Sequence, residues 1–165
     1  MTLSAEDRLD IIDLFARYGW ALDTGDSAGV AATFIEGAVV KVRETVRDMT
    51  FTDVPAWINR FHATLEGFRG RQHHMSQFRI EGGDGRARVR AFWLITKTET
   101  VTSNTRLIHN NGYYDNTVVK TEDGWRFAEV QIRSWNDQDL PWVGPVIPPG
   151  VAAYEAMAAK RAAED

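Results

Sequence analysis

The sequence predicts an α+β domain in which helices cover one face of a curved sheet, and three observations lead there. Apolar residues near the N-terminus recur with the helical period. The later part of the chain is rich in β-branched and aromatic residues. The hairpin signals Gly82-Gly83-Asp84-Gly85 and Asp123-Gly124 join strand-like segments in antiparallel order. Segregation of this kind is the α+β pattern, whereas a parallel sheet needs strands and helices in alternation. Long twisted strands wrapped around three helices leave a cone-like α+β barrel, its curved sheet mixed or antiparallel, with a pocket at the open end.

Ser4-Ala5-Glu6-Asp7 fits a capping box, with the hydroxyl accepting from an exposed amide and the acid near the positive helix end. The first helix therefore starts there, and Leu9, Ile12, Phe15, Gly19 and Leu22, flanked by Ile11 and Tyr18, carry it to about Leu22. Thr24-Gly25-Asp26 stops it, since Gly25 tolerates a positive φ. A short second helix is expected over 28–34, then a strand pair over 38–51 with a break near Arg47-Asp48. Asp53 caps a third helix with Pro55 in its first turn, and Trp57, Ile58, Phe61 and Leu65 share one side up to about Gly67. Strands follow over 72–80, 86–100, 105–121 and 125–135, and an Ala-rich short helix is expected after Pro148. No linker or repeat divides the chain, so 1–165 reads as one domain, with its core over about 4–137 and a tail over 138–165.

A chain of 165 residues, 44% hydrophobic and 25% charged, is able to bury a core without metal or disulfide. It contains no Cys, which excludes a disulfide framework and thiolate chemistry. A net charge of −4, from 19 basic and 23 acidic residues, argues against binding nucleic acid, and Arg86, Arg88 and Arg90 read as a solvated strand face. The longest apolar runs, such as Phe92-Trp93-Leu94-Ile95, fall far short of the ~18 residues of a membrane span. The N-terminal residues show no basic leader before an apolar segment, and the expected location is cytoplasmic.

Among residues that carry chemistry, Asp23 falls near Ile12 and Gly19 on an ideal helix, on the apolar side. It either ends the helix by bonding the Gly25-Asp26 turn or points inward, where a carboxylate beside an imidazole holds that ring in one tautomer. The imidazoles are His62, His73, His74 and His109. His62 reads as a partly exposed helix residue, and His109-Asn110-Asn111 as hairpin-lining. His73 and His74 are successive on one strand and face opposite ways unless a bulge intervenes. Phe78 and Ile80 share parity with His74, and Met75, Gln77 and Arg79 with His73, so periodicity leaves the inward histidine open. There is no H-E-x-x-H pair, G-x-S-x-G elbow, G-x-G-x-x-G or Walker loop, and neither metal nor cofactor is expected. Carboxylate plus imidazole remains, which is proton-transfer equipment. Trp20, Trp57, Phe61, Phe92, Trp93, Tyr113, Tyr114 and Trp135 supply apolar walls for a pocket or a core, and Trp125 anchors the last hairpin.

Three groups of residues carry a resemblance. They are Tyr18-Gly19-Trp20-Ala21-Leu22-Asp23, Gln72-His73-His74, and Gly112-Tyr113-Tyr114-Asp115 followed by Asp123-Gly124-Trp125-Arg126-Phe127; Ile132-Arg133-Ser134-Trp135 adds to them. In this order they resemble the nuclear-transport-factor-2-like superfamily, in the SnoaL-like branch that includes scytalone dehydratase, hexachlorocyclohexane dehydrochlorinase and bile-acid 7α-dehydratase. The resemblance runs from the first helix to Trp135. It implies a catalytic Asp-His pair at Asp23 and His73, the Gln-His step selecting His73, and a catalytic hydroxyl at Tyr18 that hydrogen-bonds a substrate oxygen. The sequence departs from scytalone dehydratase in offering no second histidine over 94–99, and Arg133 stands three residues beyond the position of the dehydrochlorinase's arginine.

The expected function is a cofactor-independent lyase, dehydratase-like, or an isomerase, acting on a small apolar cyclic molecule. His73, oriented by Asp23, removes a proton next to a carbonyl, and Tyr18 and Arg133 steady the oxyanion. Trp57, Phe61, Trp93, Tyr114 and Asn110 are expected to bind the substrate. The competing expectation is a noncatalytic ligand-binding or structural subunit, like the small subunit of ring-hydroxylating dioxygenases. A close Asp23–His73 bond at a closed pocket favours the first, and a filled cone with the groups apart favours the second. The resemblance also implies a homo-oligomer, dimer or trimer, packed through the outer sheet face.

Overall fold

Capping decides where the first helix begins. Ser4 Oγ accepts from the Asp7 amide at 3.0 Å while Asp7 Oδ2 accepts from the Ser4 amide at 3.2 Å, so two exposed helix donors are satisfied reciprocally. This computed structural model describes residues 2–44, 47–63, 68–101 and 104–135. Within them the order is α1 (Ala5–Thr24), α2 (Ser27–Ala31), β1 (Phe34–Glu44), β2 (Arg47–Phe51), α3 (Val54–Ala63), β3 (Phe68–Gly83), β4 (Arg86–Val101), β5 (Asn104–Thr121) and β6 (Gly124–Ser134). The tail and helix expected over 138–165, and the end of the third helix at Gly67, lie outside the described residues.

The strands form one mixed sheet in the order β2-β1-β6-β5-β4-β3, with β1 parallel to β6 and every other neighbour antiparallel. The sheet curls around the helices without closing. Its free edge at β3 is covered by α1: Arg8 Nη1 donates to the Ile80 carbonyl at 3.0 Å, and Asp23 accepts from the His73 amide at 2.6 Å.

Two one-residue bulges bend β3, between Arg69 and Gln72 and between Ser76 and Arg79. At the second, Gln77 takes φ +48°, and the inward row changes parity. His73 and Met75 face α1 before it, while Phe78 and Ile80 join the core beyond it. The two rows that compete in the sequence are thus both inward, in different halves of the strand.

The core face of α1 is Ile11, Leu14, Phe15, Tyr18, Ala21 and Leu22. The expected face is displaced by it: Leu9 is 67% exposed and Ile12 also lies outside, because the stripe at three- and four-residue steps from Ile11 contains neither. The second helix stops at Ala31 rather than Phe34. Thr33 Oγ1 bonds the Val30 carbonyl, the Thr33 carbonyl accepts from Phe127 at 2.8 Å, and Phe34 is drawn into the sheet. Asp53 does cap α3, accepting from the Ala56 amide at 3.0 Å. Asp84 and Gly85, at φ +50° and +74°, make the two-residue β3–β4 turn. The last hairpin instead turns at Glu122-Asp123, and Gly124, at φ +98°, opens β6. Trp125 is buried and its indole N–H reaches Asp7 Oδ1 at 3.1 Å, tying that hairpin to the start of α1.

Candidate active site

Inside the cone, α1, α3 and the concave sheet face enclose a cavity of about 290 Å³, at the lower end of the ~300–1,000 Å³ usual for small-molecule sites. Tyr18, Trp57, Phe61, Trp93 and Tyr114 give it aromatic walls, Ile95 and Ile132 aliphatic ones, and Arg71, His73 and Asn110 polar ones. Tyr18 stacks on Trp57 at 6.3 Å between ring centroids, and Trp57 on Phe61 at 5.7 Å. Trp93 owes its place to Gly112. A Cβ there would strike the Trp93 ring and the Arg133 carbonyl.

Asp23, in the last turn of α1, meets β3 here. Gly19 lets the two elements approach, since a Cβ on it would already lie 3.0 Å from Met75 Cε. One Asp23 oxygen sits 2.6 Å from His73 Nδ1 and 3.1 Å from Arg71 Nε, and the other accepts from the His73 amide at 2.6 Å. The His73 side chain is 2% exposed, that of Arg71 8% and that of Asp23 16%. Burial raises the carboxyl's pKa, but the hydrogen bonds and charge of His73 and the bond from Arg71 outweigh it and hold Asp23 below its ordinary value. An ionised Asp23 fixes the hydrogen of the neutral ring on Nδ1 and leaves Nε2 as the basic nitrogen of a side chain that lines the cavity. Asp23 itself stands behind His73, toward a groove between α1 and β3.

Arg71 carries the site's buried positive charge. Its Nη2 donates to the Leu22 carbonyl and its guanidinium lies 4.2 Å from the Phe61 ring centroid. The Tyr18 hydroxyl is buried beside that of Tyr114. Burial pushes both phenols above their ordinary pKa, so they stay protonated donors.

Of the residues expected at the site, Tyr18, His73, Trp57, Phe61, Trp93, Tyr114 and Asn110 line this one cavity, with Asp23 bonded to His73. Arg133 is not among them. Ile132 faces the cavity, and strand alternation turns Arg133 to the outer face, where its guanidinium lies 3.5 Å from Gln131 Oε1. His74 is exposed on that outer side, its Nε2 3.2 Å from Thr96 Oγ1. Trp20 is 76% exposed on α1, and Phe92 packs on Trp135 at 5.0 Å outside the cone, so these three form no part of the cavity wall. Tyr113 is buried beside Phe92 in a depression away from the cavity. His62 bonds Ser27 Oγ at 2.9 Å, and His109 lies on β5 opposite Thr96.

Sequence reasoning missed Arg71, Arg60 and Lys97, all of which line the cavity. Arg71 had a signal, since it stands two residues before His73 and shares its strand face. Among the described residues no helix is long and apolar enough to cross a membrane.

Comparison with known proteins places this geometry. The chain is similar in structure to the Kfla4162 protein of Kribbella flavida, with a TM-score of 0.70 at 22% identity over 79% of this chain and 93% of that one. A candidate scytalone dehydratase from Novosphingobium aromaticivorans gives a TM-score of 0.65 at 22% identity, over 88% and 99% of the two chains. A candidate aromatic ring hydroxylase from the same organism gives 0.64 at 25% identity, over 78% and 89%. Those two descriptions differ on one fold, so the fold by itself fixes no reaction. No curated protein matches the sequence. The match that does define membership is to the SnoaL-like domain, over residues 3–131, and the chain belongs to that family, with the fold of the nuclear-transport-factor-2-like superfamily.

Proposed function

We propose that the protein is a cofactor-independent lyase of the dehydratase type, or an isomerase, acting on a small cyclic carbonyl compound. The observation that carries this is the 2.6 Å Asp23–His73 bond at the wall of an aromatic cavity. An ionised carboxylate orienting an imidazole at the wall of a cavity is the arrangement that general-base catalysis needs. Within hydrogen-bond reach of a bound substrate, His73 Nε2 takes a proton from the carbon next to the carbonyl. The electron pair moves onto the carbonyl oxygen, where the Tyr18 and Tyr114 hydroxyls and the Arg71 charge stabilise the enolate. As the enolate collapses, the bond from the β-carbon to its hydroxyl breaks and the His73 imidazolium gives its proton to the departing oxygen, so water and the unsaturated ketone leave. In an isomerisation the same proton returns to a different carbon.

Arg71 takes the oxyanion role that the sequence suggested for Arg133. The aromatic walls keep water from the enolate.

The test is hydrogen–deuterium exchange at the α-carbon of cyclohexanone and tetralone in D₂O, followed by NMR, with loss of water from 3-hydroxycyclohexanone followed by enone absorbance. Exchange or elimination by the wild type should fall by ~10²–10⁴ in His73→Ala, the usual contribution of a general base, and stay within about twofold in His74→Ala. Equal rates for wild type and His73→Ala sink the proposal.

A further inference from the structure

The six large apolar side chains that are exposed among the described residues fall into two groups. Phe92, Leu94 and Trp135 stand on the outer sheet face, where the resemblance implies an oligomer contact. Leu9, Ile12 and Trp20 stand on α1, far from that face's expected role. With Ala16, also exposed, they recur at steps of three, four and four, which makes one continuous stripe along the helix. At 100° per residue Ala16 points about 160° away from Tyr18 on the core face, so α1 is apolar on two opposite sides. Packing on its own sheet uses only one of them. Beside the stripe a groove of about 550 Å³ between α1 and β3 adds Phe15, Met75 and Phe78 to the apolar surface.

Two features of the stripe say what covers it. The first is size. When a second copy is turned end for end and its α1 is laid on this one about a two-fold axis near Leu14, Leu9 of each copy meets Trp20 of the other. Ile12 of each then meets Ala16, a large side chain against a small one. The second is charge. Asp13 and Arg17 flank the stripe on one side, 2.9 Å apart, and the same axis sets Asp13 of each copy near Arg17 of the other. The pair extends into a ring of alternating sign, and no like charges are opposed. That flank carries Glu6, Asp10 and Asp13 against Arg17, an acidic balance that an anionic lipid surface repels.

From this we infer that a second copy of the chain covers the stripe, as an antiparallel, two-fold symmetric α1–α1 pair. The interface uses neither the cavity nor the dyad, so it stands or falls independently of the lyase reading.

The chain contains no Cys, so a single introduced thiol reports the arrangement. Ala16→Cys lies about 5 Å along the helix axis from its counterpart and should be joined to it by a short bismaleimide; Thr24→Cys, roughly 30 Å from its counterpart, should not. Sedimentation velocity over roughly 1–500 µM measures the association itself, since one helix face falls at the small, weak end of interface sizes. The wild type should reach a mass of at least two chains at the upper concentrations. Leu9→Glu/Trp20→Glu should weaken the association by ~100-fold or more, because the two-fold axis places each lost anchor in the interface twice. Both side chains are exposed in the single chain, so this variant should keep the wild-type Tm and circular dichroism at low concentration. Added to Ala16→Cys, the same double change should abolish cross-linking, whereas Leu94→Glu on the outer sheet should leave it intact. A wild type that stays monomeric throughout, whether or not phosphatidylserine vesicles capture it, overturns the inference. So does cross-linking of Thr24→Cys as efficient as that of Ala16→Cys, a mass unchanged by Leu9→Glu/Trp20→Glu, or cross-linking lost in Leu94→Glu.

Discussion

Replacing Asp23 by Asn removes one negative charge from a cluster that has no other among the described residues. In the wild type that carboxylate accepts from Arg71 Nε at 3.1 Å, from the His73 amide at 2.6 Å and from His73 Nδ1 at 2.6 Å. Removing one partner of a buried ion pair costs ~3–5 kcal/mol. Two features reduce that figure: Asp23 is 16% exposed, and the asparagine oxygen still accepts the His73 amide. A loss of roughly 2–4 kcal/mol remains, which for a domain of this size lowers Tm by about 5–15 °C. The pH dependence has a definite sign. Asp23 is held below its ordinary pKa in the folded protein, so its contribution is fully present above pH ~4 and is lost as pH falls through the folded value. The assay is thermal melting of wild type and Asp23→Asn by circular dichroism from pH 7 down to pH 3. The gap between them should be full at pH 7 and should shrink only below pH ~4. Melting points within about 1 °C of each other at pH 7, or a gap that widens on acidification, would refute the account of the cluster.

Gly112→Ala should be severely damaging, costing more than ~3 kcal/mol, because its Cβ meets the Arg133 backbone carbonyl as well as the Trp93 ring; urea unfolding monitored by far-UV circular dichroism measures it, and near-UV circular dichroism reports the displaced indole. A loss below ~1 kcal/mol would mean that the two strands separate easily there. Gln77→Gly should raise stability or leave it unchanged by urea unfolding, since Gln77 sits at φ +48° and a non-glycine residue in that region is strained by ~1–2 kcal/mol. Gln77→Val should lower it, because a β-branched side chain fits that conformation worst.

How far the site was legible depends on how local each signal is. The capping box of α1, the Asp53 cap and the Asp84-Gly85 turn are decided by neighbours in sequence, and they appear where the sequence puts them. The first helix's core stripe is less local, because an amphipathic helix with apolar residues at positions 9, 11, 12, 14 and 15 offers several overlapping faces. The sheet selects among them. The choice between His73 and His74 was beyond periodicity for a physical reason: the bulge at Gln77 reverses the inward row in mid-strand, and Gln77 is not a glycine that would announce it. Arg133 illustrates the converse. Its residue type suits an oxyanion, but Ile132 takes the inward position and alternation leaves Arg133 outside. Arg71 has the inward parity that Arg133 lacks, two residues from His73, and reaches the carboxylate that His73 uses. One bent strand therefore serves two purposes. Its first half presents Arg71 and His73 to Asp23 and the cavity, and its second half gives Phe78 and Ile80 to the core that holds α1 in place. Without the bulge, regular pairing back from Phe78 and Ile80 would bring His74 opposite Ile95 in place of His73 and separate His73 from Asp23, so the proposed reaction depends on strand register as directly as on the residues assigned to it.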